Sequence, residues 1–229
     1  MEQIKVLVHG AAGRVGQEVV KAVTQEPGMK VVGAVDLKVS SPELSLPDGS
    51  TLPFSDSLAD MLKTCRPDVV VDFTIARASM LAVRLIAASS VNIVIGTTGF
   101  TADELKEMEH LARTKKIGIV VAPNFALGAV MMMHLAKIAG KYFDHAEIIE
   151  QHHDRKLDAP SGTSQTTARE MVAARGNPFL PPAVMGEDSP ARGKEIDGIN
   201  IHAVRLPGFM AHQEVIFGSD GQTLRIRHD

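Results

Sequence analysis

The segment EQHHDRKLDAPSGTS, residues 150–164, gathers groups able to move protons and hold anions. Imidazole is the side chain whose reference titration, at about 6.5, lies near neutral pH, which makes His152 a candidate to carry and release a proton. Lys156 is ordinarily charged; it can steady negative charge developing on a substrate, or donate a proton where neighbouring cations lower its pKa. Along an extended chain successive side chains point to opposite faces, so His152 and His153 diverge and suit two tasks, proton delivery and substrate contact. Ser161, Gly162 and Thr163 then open a helix, with Asp158 and Pro160 shaping the approach. Helix-start N–H groups and two hydroxyls make a cradle for a carboxylate. The chemistry these residues suit is delivery of a proton to an anionic substrate. The competing reading is a structural His-His pair, and the lysine and the Ser-Gly-Thr turn count against it. A metal site on His152, His153 and Asp154 is disfavoured because adjacent ligands seldom converge on one ion, and no metal is expected.

A second motif points to a bound dinucleotide. HGAAGRVG, residues 9–16, follows the apolar run IKVLVHG and spaces Gly10, Gly13 and Gly16 by three. Gly10 permits a tight turn, Gly13 lets a pyrophosphate approach the backbone, and Gly16 permits close helix–strand packing. Gly10, Ala11, Ala12, Gly13, Arg14 and Val15 are therefore the candidate pyrophosphate cradle. Asp36 closes the next strand, where an acid binds a ribose hydroxyl; the bland reading is that it caps a turn. Gly96, Thr97 and Thr98 in GTTG, and Ala122, Pro123, Asn124 and Phe125 in APNF, follow two later apolar runs. Ligands of parallel sheets bind at such carboxyl ends, which adds both segments to the cofactor site. Asp36 would repel a 2′-phosphate and favours NADH, while Lys38 keeps NADPH open.

The elements that must position these residues are legible as alternation. Strands are expected at IKVLVHG, KVVGAVD, DVVVDFT, VNIVIGTTG and KIGIVVAPN. The valines at 15, 19, 20 and 23 predict a helix after the glycine turn, and SLADMLKTC and residues 77–89 predict two more. Thr101 and Glu104 form a capping box before another. Residues 37–56, rich in Ser, Pro and Gly, read as a loop. Near-continuous apolar strands alternating with helices mean a parallel sheet covered on both faces, a Rossmann-type doubly wound α/β fold over residues 1–124. Beyond it FALGAVMMMHLAKIAGKYF predicts a long helix, with Met131 to Met133 as packing residues. Residues 146–153 predict a strand and 161–175 a helix ended by Gly176. A Pro/Gly-rich loop should run to about Gly198. INIHAVRL, HQEVIFG and QTLRIRH then read as strands, making residues 125–229 a mixed α+β domain with an antiparallel sheet for substrate binding and oligomerisation.

Composition limits the partners. A net charge of −3 argues against a nucleic-acid binder. No apolar run is long enough to span a bilayer, and ALGAVMMMHLAKIAG is interrupted by His134 and Lys137. The opening residues lack the pattern of a secretory signal. Cys65, the single cysteine, cannot pair within the chain and fits a reducing compartment. The expectation is a cytoplasmic protein with no membrane partner. Cys65 has no nearby histidine, which disfavours thioester chemistry. His9, His110, His134 and His145 read as structural or surface residues; Arg205 and His212 could approach the site or serve the sheet.

Nearly the whole chain resembles the 4-hydroxy-tetrahydrodipicolinate reductase (dihydrodipicolinate reductase) family, through GAAGRVG, DFT, GTTGF, APNFALG, E-x-HH-x-x-K-x-DAPSGT and HAVRLPGFMAHQEVIFG…GQTLRIRHD. The resemblance implies hydride transfer from NADH or NADPH to a cyclic unsaturated imine dicarboxylate in the diaminopimelate route to lysine, with a proton added at the neighbouring carbon. It implies that His152 and Lys156 are the catalytic pair, that His153 touches substrate, and that the chain assembles as a homotetramer through its second sheet. Members of that family continue past the IRHD pattern with a helical tail, so the sequence ending at Asp229 is expected to lack one. The rival is a non-catalytic nucleotide sensor on the same fold.

Overall fold

The computed structural model describes residues 3–46, 48–181 and 190–229, which fall into two compact units, Met1–Ala122 and Pro123–Asp229. In the first unit, β1 (Ile4–His9) leads through the glycine turn into α1 (Arg14–Gln25), then β2 (Met29–Val35). A hairpin of β3 (Glu43–Ser45) and β4 (Thr51–Ser55) follows, then α2 (Leu58–Cys65), β5 (Val69–Asp72), α3 (Ala76–Ala88), β6 (Asn92–Ile95), α4 (Ala102–Lys115) and β7 (Ile119–Val121). Among the described residues the sheet order is β3-β4-β2-β1-β5-β6-β7, parallel except for the β3–β4 pair. The order reverses direction beside β1, the switch point at which such sheets open a crevice. The expected doubly wound unit is present, with separate apolar clusters around Val83, Ile86 and Ile93 and around Val6, Val8 and Val20.

Residues 37–56 are not simply a loop. Leu52 and Phe54 are buried and draw β4 into the sheet against β2, although Ser, Pro and Gly around them hide the alternation. The valine stripe also needs adjustment: Val20 and Val23 are core, whereas Val15 is 51% exposed at the opening of α1. The Thr101–Glu104 capping box forms as expected.

The second unit runs through α5 (Leu127–Ala139), β8 (His145–His152), α6 (Gly162–Arg175), a 3-10 turn at Pro190–Arg192, β9 (Lys194–Ile196), β10 (Ile199–Arg205), β11 (Ala211–Ser219) and β12 (Gln222–His228). Its sheet order is β12-β11-β8-β10-β9 among the described residues. The pairs are antiparallel except β8 with β10, which is parallel, because the segment between them crosses over through α6. The expected loop to Gly198 contains β9, whose three residues pair with Ile199–Ile201; residues 182–189 of that loop lie outside the described residues. Met132, Met133 and Ala136 of α5 and Ala168 and Met171 of α6 pack on Ile148, Ile201, Val215 and Phe217, which all point to one sheet face. Met131, 46% exposed, is not part of that packing. No described helix is long and apolar enough to cross a membrane.

Candidate active site

In the second unit, β-strand parity decides which side chains meet. Ala146 and Ile148 point into the core, so Glu150 and His152 continue along the same face; Ile199 and Ile201 on β10 bring Arg205 to it in the same way. The register places Arg205 beside His152 and Ala203 beside Glu150. The Glu150 side chain is fully enclosed. Its Oε1 and Oε2 accept from Arg205 Nη2 and Nη1 at 2.7 and 2.8 Å, Oε1 accepts from the Ser161 N–H at 3.1 Å, and Oε2 is bonded to His152 Nδ1. Burial alone would raise this carboxyl, but the bonds and charges of His152 and Arg205 outweigh it and hold its pKa at about 2. An ionised carboxylate only accepts, so the hydrogen shared with His152 belongs to Nδ1 and the ring's Nε2 is the atom left for a substrate.

Lys156 Nζ donates to both carboxylate oxygens of Asp158, at 2.7 and 2.9 Å. Burial would raise the Asp158 carboxyl, but the Lys156 bond and charge bring it below the usual range. Arg205 Nη2 also donates to the Asp158 carbonyl at 2.7 Å. One guanidinium thus ties the histidine end of the motif to the lysine end. His153 leaves its Nδ1 buried with no protein partner.

The α6 opening is built with more commitment than the sequence suggested. Ser161 is its N-cap: its hydroxyl accepts from the Ser164 N–H at 3.2 Å and bonds the Ser164 hydroxyl at 2.8 Å, which donates to Gln213 at 2.9 Å. Ser161 is thus spent on capping and on Glu150, so its hydroxyl is not open to a ligand. Gly162 and Thr163, both partly exposed, carry the first N–H groups of the helix and remain as the open part of the cradle.

In the first unit, Gly10 has φ +86°, and a Cβ there would stand 2.7 Å from the Phe73 carbonyl oxygen. The Gly10 and Ala11 N–H groups donate to the Val35 oxygen, the Ala12 N–H to Asp36 Oδ2, and the Gly13 N–H to the Gly10 oxygen. Ala11, buried, and Ala12 therefore build the turn. Gly13 is the N-cap of α1 and gives it no side-chain acceptor, so the opening amides of Arg14 and Val15 stay available to an anion. Asp36 does both things considered for it: it caps the turn through Ala12 and Lys38, and it lines a pocket of about 640 Å³ with Gly10 and Gly13. Leu58, Ile75, Leu81 and Leu85 form apolar walls there. A second depression of about 450 Å³ joins Gly13, Arg14 and Val15 to Gly96, Thr97 and Thr98. Pocket sizes, open amides and the missing Cβ atoms all fit a dinucleotide. Of the APNF residues, the Ala122 N–H closes onto the Ile95 oxygen, Pro123 begins the second unit, Asn124 accepts from the Ala126 N–H at 2.9 Å, and Phe125 is half exposed.

Gly16 is a test of this turn. A methyl there would stand 2.0 Å from the Gly10 oxygen. Gly16→Ala should destabilise the unit by about 1–3 kcal/mol, the usual cost of overpacking, and weaken NADH binding by displacing the turn. Thermal unfolding and NADH titration read both effects; unchanged binding would show that the turn is not part of the nucleotide site.

Arg205, expected either to approach the site or to serve the sheet, does both, pairing within β10 and holding Glu150. The role of Glu150 as the partner of His152 was not among the expectations, although it lies two residues before His152 on the same inward-facing parity. Asp158 was read only as shaping a turn. His9 has the structural role expected of it, bonding the buried Asp72 at 2.6 Å, and in addition lines the larger pocket.

A parallel sheet with an open glycine turn, followed in the chain by an α+β unit carrying an acid-held histidine and lysine, defines a nucleotide-dependent oxidoreductase. Two family models narrow the class: "Dihydrodipicolinate reductase, N-terminus" matches residues 4–125 and "Dihydrodipicolinate reductase, C-terminus" residues 128–229. The chain belongs to the dihydrodipicolinate reductase family. It is 56% identical over 231 residues to a 4-hydroxy-tetrahydrodipicolinate reductase of Dehalococcoides mccartyi, covering 100% of this chain and 87% of that protein. A 4-hydroxy-tetrahydrodipicolinate reductase of Moorella thermoacetica is 46% identical over 230 residues, covering 99% and 86%. The solved dipicolinate-bound dihydrodipicolinate reductase of Paenisporosarcina sp. TG-14 is 41% identical with a TM-score of 0.80, covering 99% of this chain and 88% of that one. GenD2 from gentamicin A biosynthesis, 15% identical with a TM-score of 0.68 over 99% of this chain and 73% of that one, shares the fold alone.

Proposed function

We propose that the chain reduces 4-hydroxy-tetrahydrodipicolinate to tetrahydrodipicolinate with NADH or NADPH, the 4-hydroxyl group leaving as water, and that His152 and Lys156 are its proton-handling pair. The observation that carries this reading is the Glu150 carboxylate, held ionised and enclosed, which fixes the hydrogen on His152 Nδ1 and frees Nε2. The glycine turn and the GTTG segment hold the dinucleotide, which when bound supplies hydride. Protonated His152 gives up its proton from Nε2, after which the ring stays anchored through Nδ1. Lys156 keeps two of its three donors on Asp158, leaving one N–H to steady charge on the substrate or to pass it a proton. His153, the Gly162 and Thr163 amides and the Thr163 hydroxyl hold the substrate's carboxylates; Ser161 contributes by setting the helix start. Pro123, Asn124 and Phe125 complete the cofactor contacts begun by Ala122. The dipicolinate-bound relative supports a small dicarboxylate as ligand.

Spectrophotometric oxidation of NADH, with freshly generated 4-hydroxy-tetrahydrodipicolinate, tests this reading against a nucleotide sensor. Substrate-dependent consumption supports the reductase; binding of NADH without consumption refutes it. Parallel titrations with NADH and NADPH decide the cofactor, and Asp36 favours NADH. The protein acts in the cytoplasm as a homotetramer formed through the second sheet, whose face opposite α5 and α6 carries the partly exposed Ile149 and Ile216. Sedimentation velocity should return a tetramer; a monomer at working concentration would refute the assembly.

A further inference from the structure

The buried Asp72 binds more groups than a strand end requires. Its side chain has zero exposure. It accepts from His9 Nδ1 at 2.6 Å, from the Thr97 hydroxyl at 2.8 Å, and from the Thr74 hydroxyl and N–H at 3.0 and 3.3 Å. One carboxylate therefore joins the ends of β1 and β5 to the GTTG turn after β6. Burial raises its pKa, but the His9 bond and charge, with Thr97 and Thr74, bring the net value below the ordinary one. Asp72 is thus ionised at neutral pH and only accepts. The hydrogen between it and His9 belongs to Nδ1, which leaves Nε2 as the nitrogen His9 can present to a ligand. His9 is 14% exposed and lines the larger pocket at the end that carries Gly10, Gly13 and Asp36.

The charges around that end select the ligand atom. Asp36 and Asp56 both line the pocket with His9. Two carboxylates disfavour an anionic group there, whereas a hydroxyl is a donor they can accept. Asp36 already accepts from the Ala12 and Lys38 N–H groups, at 3.0 and 3.1 Å, so another acceptor lining the same pocket has a use. We propose that His9 Nε2 accepts a hydrogen bond from a hydroxyl of the cofactor's adenosine ribose, and that Asp72 is the positioning residue that fixes which nitrogen His9 presents. This rests on the reading of the first unit as the dinucleotide site. The His9–Asp72 pair then adds to Asp36 as a feature that reads an unmodified ribose.

His9→Asn separates contact from scaffolding, since its amide can still donate to Asp72 from near the Nδ1 position but nothing replaces Nε2. Calorimetric titration of both proteins with ADP, 2′-deoxy-ADP and 3′-deoxy-ADP forms a cycle between residue and hydroxyl. The parent should bind one deoxy nucleotide about fivefold to tenfold more weakly than ADP, the range of one neutral hydrogen bond, and the variant should lose that difference. His9→Gln, which can place a carbonyl oxygen near the former Nε2, should restore part of it. On the unaltered protein, the His9 Nε2 nitrogen resonance should move when ADP binds and move less with that deoxy nucleotide. Equal hydroxyl sensitivity in parent and His9→Asn, or an Nε2 resonance indifferent to the hydroxyl, overturns the inference alone. A parent protein that binds neither ADP nor NADH overturns the dinucleotide reading with it.

Discussion

Lys156→Ala is expected to lower turnover about 10²- to 10⁴-fold, the range supplied by a positioned proton donor, while NADH affinity stays near that of the parent. The structure predicts that this loss is not a folding defect. Lys156 pairs with Asp158, whose side chain is 58% exposed, and an ion pair so open to water contributes at most about 1 kcal/mol. Unfolding midpoints of parent and variant should therefore lie close together. His152→Ala combined with Lys156→Ala should cost less than the product of the single effects, as the proposed sharing of one proton-handling step requires. Steady-state kinetics with an independent NADH titration checks both parts. A Lys156→Ala protein with near-parent turnover would remove lysine from the mechanism.

Glu150→Gln is the second large effect, and it differs in kind. The substitution keeps the shape but removes the charge that compensates Arg205 inside the protein. Breaking a buried pair in this way typically costs about 3–5 kcal/mol. It also lets the amide donate toward His152 Nδ1, which moves the ring hydrogen to Nε2 and spoils its ability to take up a proton there. The variant should be both less stable and slower by about 10²-fold, within the range for acid–base groups. Acid should reveal the same carboxylate. Its pKa falls from an ordinary 4.5 to about 2 on folding. The unfolded chain therefore takes up this proton first as pH drops, so the stabilisation is complete above about 4.5 and fades toward about 2. Denaturant titrations of parent and Glu150→Gln should show a stability gap that narrows across that window; a gap independent of pH would contradict the assignment.

The two variants probe residues that differed in how readily the sequence disclosed them. The motif residues were visible because histidine, lysine and Ser-Gly-Thr are unusual neighbours. Glu150 was visible as a letter but not as a partner, since its burial depends on continuing the inward parity of Ala146 and Ile148. Arg205 needed the parallel β8–β10 register, a pairing between segments some fifty residues apart that no local pattern announces. The glycine turn was legible because Gly10 and Gly16 answer to backbone sterics that leave a mark in composition. The β3–β4 hairpin was not, because strands of three and five residues beside turn-forming Ser, Pro and Gly carry too short an alternation to detect. Ser161 illustrates a different limit. A serine at a helix start can cap or bind, and only the bonds to Ser164 and Glu150 show that here it caps.

In the proposed reaction a hydride from the dinucleotide and a proton handled by His152 and Lys156 enter one cyclic dicarboxylate as its hydroxyl leaves as water. Mass spectrometry of the product formed from NADH deuterated at the transferable position, in ordinary water, measures this directly. The predicted product is tetrahydrodipicolinate bearing the deuterium, made at a rate that collapses in Lys156→Ala. Unlabelled product, or labelled product formed as fast by Lys156→Ala as by the parent, would contradict it.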